Sequence, residues 1–183
     1  MGDYSLNNGS YYGRAVNQDI FFAYASITAP VIYSTAAGTG GPLLWNGSNL
    51  QINKVMASII GVTCALTTVS TVAAALGITG NNGQTAAPTS TTAITASGPS
   101  YVGGPPSLCT AYSVGTVTNA GNFFLPLIGL STGALTVNNV ALGFIDLQGL
   151  IAVPPGGWVS LAASATATTT VAKLGLIWAE VPI

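Results

Sequence analysis

The chain contains no histidine, and only three basic and four acidic side chains occur in its 183 residues. Lack of histidine removes the commonest general base near neutral pH, the usual partner of a catalytic serine and most catalytic zinc sites. The acids are Asp3, Asp19, Asp146 and Glu180, too few and too scattered for a calcium loop. A carboxylate pair for acid–base work would need Asp146 and Glu180 to meet across strands; a solvated strand-end carboxylate, paired with Lys173, is the simpler expectation. Arg14, Lys54 and Lys173 cannot neutralise a run of phosphates, which excludes nucleic acid as a partner. No phosphate-cradling glycine motif, dinucleotide fingerprint or nucleophile elbow is present. Gly38-Thr39-Gly40-Gly41-Pro42 has neither the lysine nor the helix such a cradle requires, and reads as a turn. The expectation is a protein that is not an enzyme, with no catalytic, cofactor-binding or metal-binding residues and no cofactor.

Cys64 and Cys109 are too few for a disulfide framework, and each lies among apolar or small residues, so buried free thiols are expected. Met1-Gly2-Asp3-Tyr4-Ser5 has neither the basic start nor the apolar core of a secretory signal, and Ser5 stands one place off the myristoylation pattern; synthesis in the cytoplasm without lipid is expected. Residues 55–78 are uncharged and apolar enough to resemble a membrane span, but Thr63, Thr67, Thr68, Ser70 and Thr71 interrupt them and no basic cluster or aromatic belt flanks them, so no membrane is expected. Asn8-Gly9-Ser10 and Asn46-Gly47-Ser48 match the glycosylation sequon, yet without a secretory route they read as turns.

What is abundant is Ala, Gly, Thr, Ser and Val. Charged residues are 4% of the chain, against about a quarter in ordinary globular domains. Hydroxyls, amides and backbone must then cover the surface, and such a surface sheds water into an interface at little cost and is poorly protected from association. This favours a subunit over a free monomer.

Residues 1–19, rich in Asn, Gly and Tyr, show no period and suggest an extended arm that orders on docking, with a disordered tail as the alternative. Tyr4, Tyr11 and Tyr12 are candidate anchors, with Phe21 and Phe22 at the start of the domain as further candidate assembly contacts. From Ile20 onward, short runs rich in Val, Ile, Thr and aromatics are punctuated by Gly, Pro and Asn, the pattern of an all-β sandwich or barrel. Strands are expected at 20–27, 30–35, 42–46, 50–60, 62–73, 108–118, 121–130, 134–147, 149–153, 157–164 and 171–181, with a helical turn around 72–76. Residues 79–107 read as a long excursion reaching toward a neighbour. Pro154-Pro155-Gly156-Gly157 should reverse the chain and bring the next strand alongside. Trp45, Trp158 and Trp178 read as core residues of strands, with stacking on sugars as the alternative.

The stretch Ile151-Ala152-Val153-Pro154-Pro155-Gly156-Gly157-Trp158-Val159-Ser160-Leu161, the closing Ile177-Trp178-Ala179-Glu180-Val181-Pro182, and upstream Ala111-Tyr112-Ser113 and Gly121-Asn122-Phe123-Phe124-Leu125-Pro126-Leu127 resemble small virion proteins of tailed bacteriophages, of the tumour-necrosis-factor-like jelly-roll kind. The likeness covers roughly residues 105–183 and contains no catalytic signature. It implies an antiparallel jelly-roll sandwich over residues 20–183 behind the arm, forming a homotrimer that decorates or cements a capsid, with the major capsid protein or another virion protein as partner and the virion as location. A glycan-binding knob of a phage fibre and a strand-exchanged subunit of an extracellular filament are the rival expectations.

Overall fold

The computed structural model describes residues 19–28, 42–68, 74–84, 86–94, 98–99, 104–130, 143–164 and 171–183. Among these residues eleven strands form two antiparallel sheets. The first runs in the order β6 (Gly98–Pro99), β1 (Asp19–Thr28), β11 (Val171–Pro182), β3 (Val55–Thr68), β9 (Gly143–Val153). In the second the order is β5 (Thr89–Ala93), β7 (Thr110–Thr116), β2 (Leu43–Trp45), β10 (Trp158–Ala163), β4 (Ala74–Asn81), β8 (Phe123–Leu130). With β5 to β7 set aside, the chain passes from sheet to sheet at every strand except between β4 and β8, which pair within the second sheet. The all-β expectation holds. Among the described residues there is no α-helix, only a 3-10 turn at Gly47–Leu50, and no helix is long and apolar enough to cross a membrane.

The period of two that marks strands builds the core. On β1, Phe21, Ala23 and Ala25 point between the sheets while Phe22, Tyr24 and Ser26 point out. On β11, Leu174, Leu176 and Trp178 point in, and on β10 Val159, Leu161 and Ala163 meet them from the other sheet. Phe21 lies opposite Trp178 and stacks on it, ring centroids 5.8 Å apart. All three tryptophans are buried.

Several expectations change. The runs 50–60 and 62–73 meet in one strand, β3, over Val55–Thr68, with 69–73 outside the described residues; its break at Gly61 is a bulge that leaves Ile60 without a partner on β11. The runs 134–147 and 149–153 overlap β9, where the sequence-level break at Gln148 is again a bulge: Asp146 faces Gly61 and Ile151 faces Ile59, so residues 147–150 loop out, with positive φ at Gln148 and Gly149. Glycine there marks an irregular strand, not a strand end. No helical turn occupies 74–76, because Ala74, Ala75 and Leu76 are held by β8; 72 and 73, like 30–35 and 134–142, lie outside the described residues. The excursion 79–107 contains the end of β4 and strands β5 and β6. The Pro-Pro-Gly-Gly corner does turn the chain, with Gly156 at φ +81° and Gly157 N–H donating to the Pro154 carbonyl at 2.8 Å. It carries the chain into the opposite sheet, however, so β10 does not lie alongside β9. Finally, Asp19 already pairs with Glu180, which ends the candidate arm at residue 18.

Candidate assembly surface

The two outer faces of the sandwich differ. On the second sheet, Leu43, Trp45, Tyr112, Val117 and Trp158 form a small buried cluster. Gly115 comes close to Leu43, Pro88 and Thr91, and Gly47 lies against the Trp45 ring. All six residues of β10 are buried in consequence. The tryptophans that a sugar would need are therefore enclosed, at 6% exposure for Trp45 and 5% for Trp158.

On the first sheet, aromatic side chains stand in solvent. Cross-strand neighbours align Phe22, Ile177, Gly61 and Asp146 in one row, and Tyr24, Gly175, Thr63 and Phe144 in the next. Phe22, Tyr24 and Phe144 are 46%, 45% and 49% exposed. Gly61 keeps the face flat, since a Cβ there would stand 2.6 Å from the Phe144 ring. Exposed Asp146 ends one row, and exposed Lys173 lies beyond the other. Toward the far end, Ile20, Ile60 and Ala179 pack together, backed by Ile177.

Of the sequence-derived contacts, Phe22 belongs to this face. Phe21 does not: at 1% exposure, and stacked on Trp178, it is a core residue that cannot touch a neighbour. Tyr4, Tyr11 and Tyr12 lie outside the described residues. Tyr24 shares the parity of Phe22 on one strand and was legible from alternation alone. Phe144 was not, because nothing local says that β9 pairs with β3.

Two buried polar groups hold the frame behind these faces. Asn46, 0% exposed, donates its amide to the carbonyls of Val55 and Val153, both at 2.8 Å, and accepts from Ser48 N–H at 3.2 Å and Ser48 Oγ at 2.7 Å. Its backbone N–H donates to the Gly157 carbonyl, and its carbonyl accepts from Gly156 N–H. One asparagine thus ties the end of β2 to the start of β3, the end of β9 and the proline corner. Every polar atom is used, so this sequon offers no amide to a glycan.

Glu180, 6% exposed, is the other. Its carboxylate accepts from Ser107 Oγ, Leu108 N–H at 2.9 Å, Cys109 N–H at 3.2 Å and Trp178 Nε1 at 3.1 Å. Charge-assisted bonds of this kind offset the burial of the carboxylate and pin the 107–109 segment to β11. Asp146 is exposed, lies opposite Gly61 on β9 and accepts from Gln148 N–H. The two acids sit on different strands with β3 between them, and form no dyad. Both cysteines are free and buried. Burial pushes the Cys64 thiol from about 9 up to about 11, and burial together with the Glu180 carboxylate pushes Cys109 upward as well.

A cleft of about 380 Å³ is lined by Asn82, Asn122, Phe123, Pro154 and Trp158, without a charged side chain. A second, of about 600 Å³, is lined by Ile52, Lys54, Pro105, Leu108 and Pro182, with Glu180 already engaged by its four donors. Among the described residues, no three Cys, Asp or Glu side chains gather to hold a metal ion. No protein-family model, curated protein or solved structure matches the chain.

Proposed function

We propose that the chain is a structural virion protein, a capsid decoration or cement subunit that acts as a homotrimer and binds the shell through the major capsid protein or another virion protein. It performs no chemistry in this reading; its work is to add interface area across the seams of a shell. Contacts on the order of 1,000 Å² or more would be needed for each specific seam. The observation that carries the reading is the outer face of the first sheet, where three large aromatic side chains stand about half exposed on a nearly uncharged, glycine-flattened surface. Exposed apolar area of this kind is expensive for a free monomer and useful to a subunit. The strand order supports a jelly roll: β1-β11-β3-β9 against β2-β10-β4-β8, with the alternation between sheets noted above, is the connectivity of two interlocked Greek keys. Enclosure of Trp45, Trp158 and Trp178 tells against a glycan-binding knob that would stack sugars on them.

The test is mass in solution by light scattering, on the full chain and on a chain lacking residues 1–18. A compact particle of about three times the 18.2 kDa chain mass, persisting without the first 18 residues, is the expected result. Long polymers that disappear on truncation would replace this reading with a strand-exchanged filament.

A further inference from the structure

We infer that the outer face of the sheet β1-β11-β3-β9 is the surface through which one copy of this chain contacts another. The inference rests on the subunit reading and specifies which surface does the work.

Three observations select a second copy as the occupant. The first is area. Four strands at about 4.8 Å spacing and some six residues of strand at about 3.3 Å give a face of roughly 20 by 20 Å. With side-chain relief this comes to about 1,200 Å² over two contacting surfaces, the lower end of what a specific interface buries.

The second is shape. Gly61 and Gly175 remove side chains from the middle strands; the Phe144 ring lies over Gly61, and Phe22 and Tyr24 stand exposed across the sheet on β1, next to the partly buried Ile177. Rigid aromatic side chains are what a packed interface centre uses. The third is charge. Among the described residues this face carries one cation and one anion, Lys173 and Asp146, on different strands and different rows. Another copy of a chain with net charge -1 brings no run of like charge against it, whereas a strongly acidic or basic partner would find nothing to pair with. Among the described residues, the outer face of the second sheet is filled by the buried Leu43, Trp45, Tyr112 and Trp158, with Val114 the large apolar side chain it leaves exposed.

The experiment compares the full chain with a triple variant, Phe22→Ser, Tyr24→Ser and Phe144→Ser, and with a control, Val114→Ser and Phe123→Ser, whose two sites are also exposed but belong to the second sheet. Sedimentation equilibrium over a hundredfold range of concentration reads the mass. The triple variant should lose self-association by a hundredfold or more in dissociation constant, while the control keeps the mass of the parent. Because three substitutions can also harm folding, hydroxyl-radical footprinting of the unaltered chain gives a second readout. Phe22, Tyr24 and Phe144 should be protected at high concentration and lose that protection on dilution. A triple variant that is folded and still associated, or aromatic residues equally labelled at both concentrations, overturns the assignment of this face and leaves the subunit reading standing. A parent chain that stays monomeric throughout overturns both.

Discussion

Replacing Asn46 by alanine removes a side chain that makes four hydrogen bonds and is nowhere exposed. The Val153 carbonyl and Ser48 N–H lose their side-chain partner outright. The Val55 carbonyl keeps Ser48 Oγ, at 3.4 Å. A buried polar group that loses its partner costs about 1–3 kcal/mol, so two groups stripped of their side-chain partner and one weakened one come to about 3–5 kcal/mol. Total stabilities are about 5–15 kcal/mol, which makes this a large fraction of the whole. With a urea slope of about 2–3 kcal/mol/M, the unfolding midpoint should fall by more than 1 M. Tryptophan fluorescence is a suitable signal because all three indoles are buried, and protein concentration must be held equal in case association contributes. Asn46→Asp serves as a second probe, because it keeps the shape but aims carboxylate oxygen at two carbonyls. The repulsion is relieved when the new side chain is protonated and can donate, so this variant should recover part of its stability as pH falls. An Asn46→Ala midpoint within about 0.2 M of the parent, corresponding to about 0.5 kcal/mol, would refute the account of this asparagine as the tie between β2, β3 and β9.

Glu180→Ala should cost about 2–5 kcal/mol in the same assay, since Leu108 N–H and Trp178 Nε1–H are left without an acceptor; protease cleavage near 107–109 should also accelerate, and an unchanged cleavage rate would count against the pinning role. Phe21→Ala should destabilise by about 3–5 kcal/mol through the cavity left against Trp178, whereas Phe22→Ala, one residue on but facing outward, should stay within about 0.5 kcal/mol when both are measured on protein diluted until it is dissociated; equal effects there would mean that the inside and outside of β1 are misassigned. Both thiols have pKa values raised on folding, so the native state holds their protons longer than the unfolded chain. Their contribution is intact below about 9 and is lost as pH rises toward 11; the urea midpoint should fall over that range, with a shallower fall in Cys64→Ala. Gly156→Ala should lose more than 1 kcal/mol, because φ is +81° and the new Cβ would stand 3.0 Å from the Gln84 carbonyl.

Composition and short-range order decided a good deal. Absence of histidine and scarcity of charge narrowed the chemistry, and alternating apolar residues with glycine and proline punctuation made the chain all-β, because a period of two is a local property of strands. The run 171–181 and the run 20–27 were legible for that reason, as were the three tryptophans in the core. What failed were readings in which local signals had two meanings. Glycine at 61 and 149 looked like strand ends and proved to be bulges; at 149 the backbone takes a positive φ, as in a turn, and at 61 the Phe144 ring fills the space a side chain would need. Phe21 and Phe22 are adjacent and alike in chemistry; only the register against Trp178 says which one is inside. Asn46 read as a turn residue until β3, β9 and the proline corner closed around it. Likewise, Ser107 and Glu180 are 73 positions apart, and no local pattern connects them. The sequence by itself determined the class of fold and the poverty of chemistry, because these follow from residue types and their spacing along the chain. Only the tertiary structure decided which outer face stays open and which buried polar groups hold the frame, because both depend on pairings between strands far apart in sequence, whose partners local propensity does not encode.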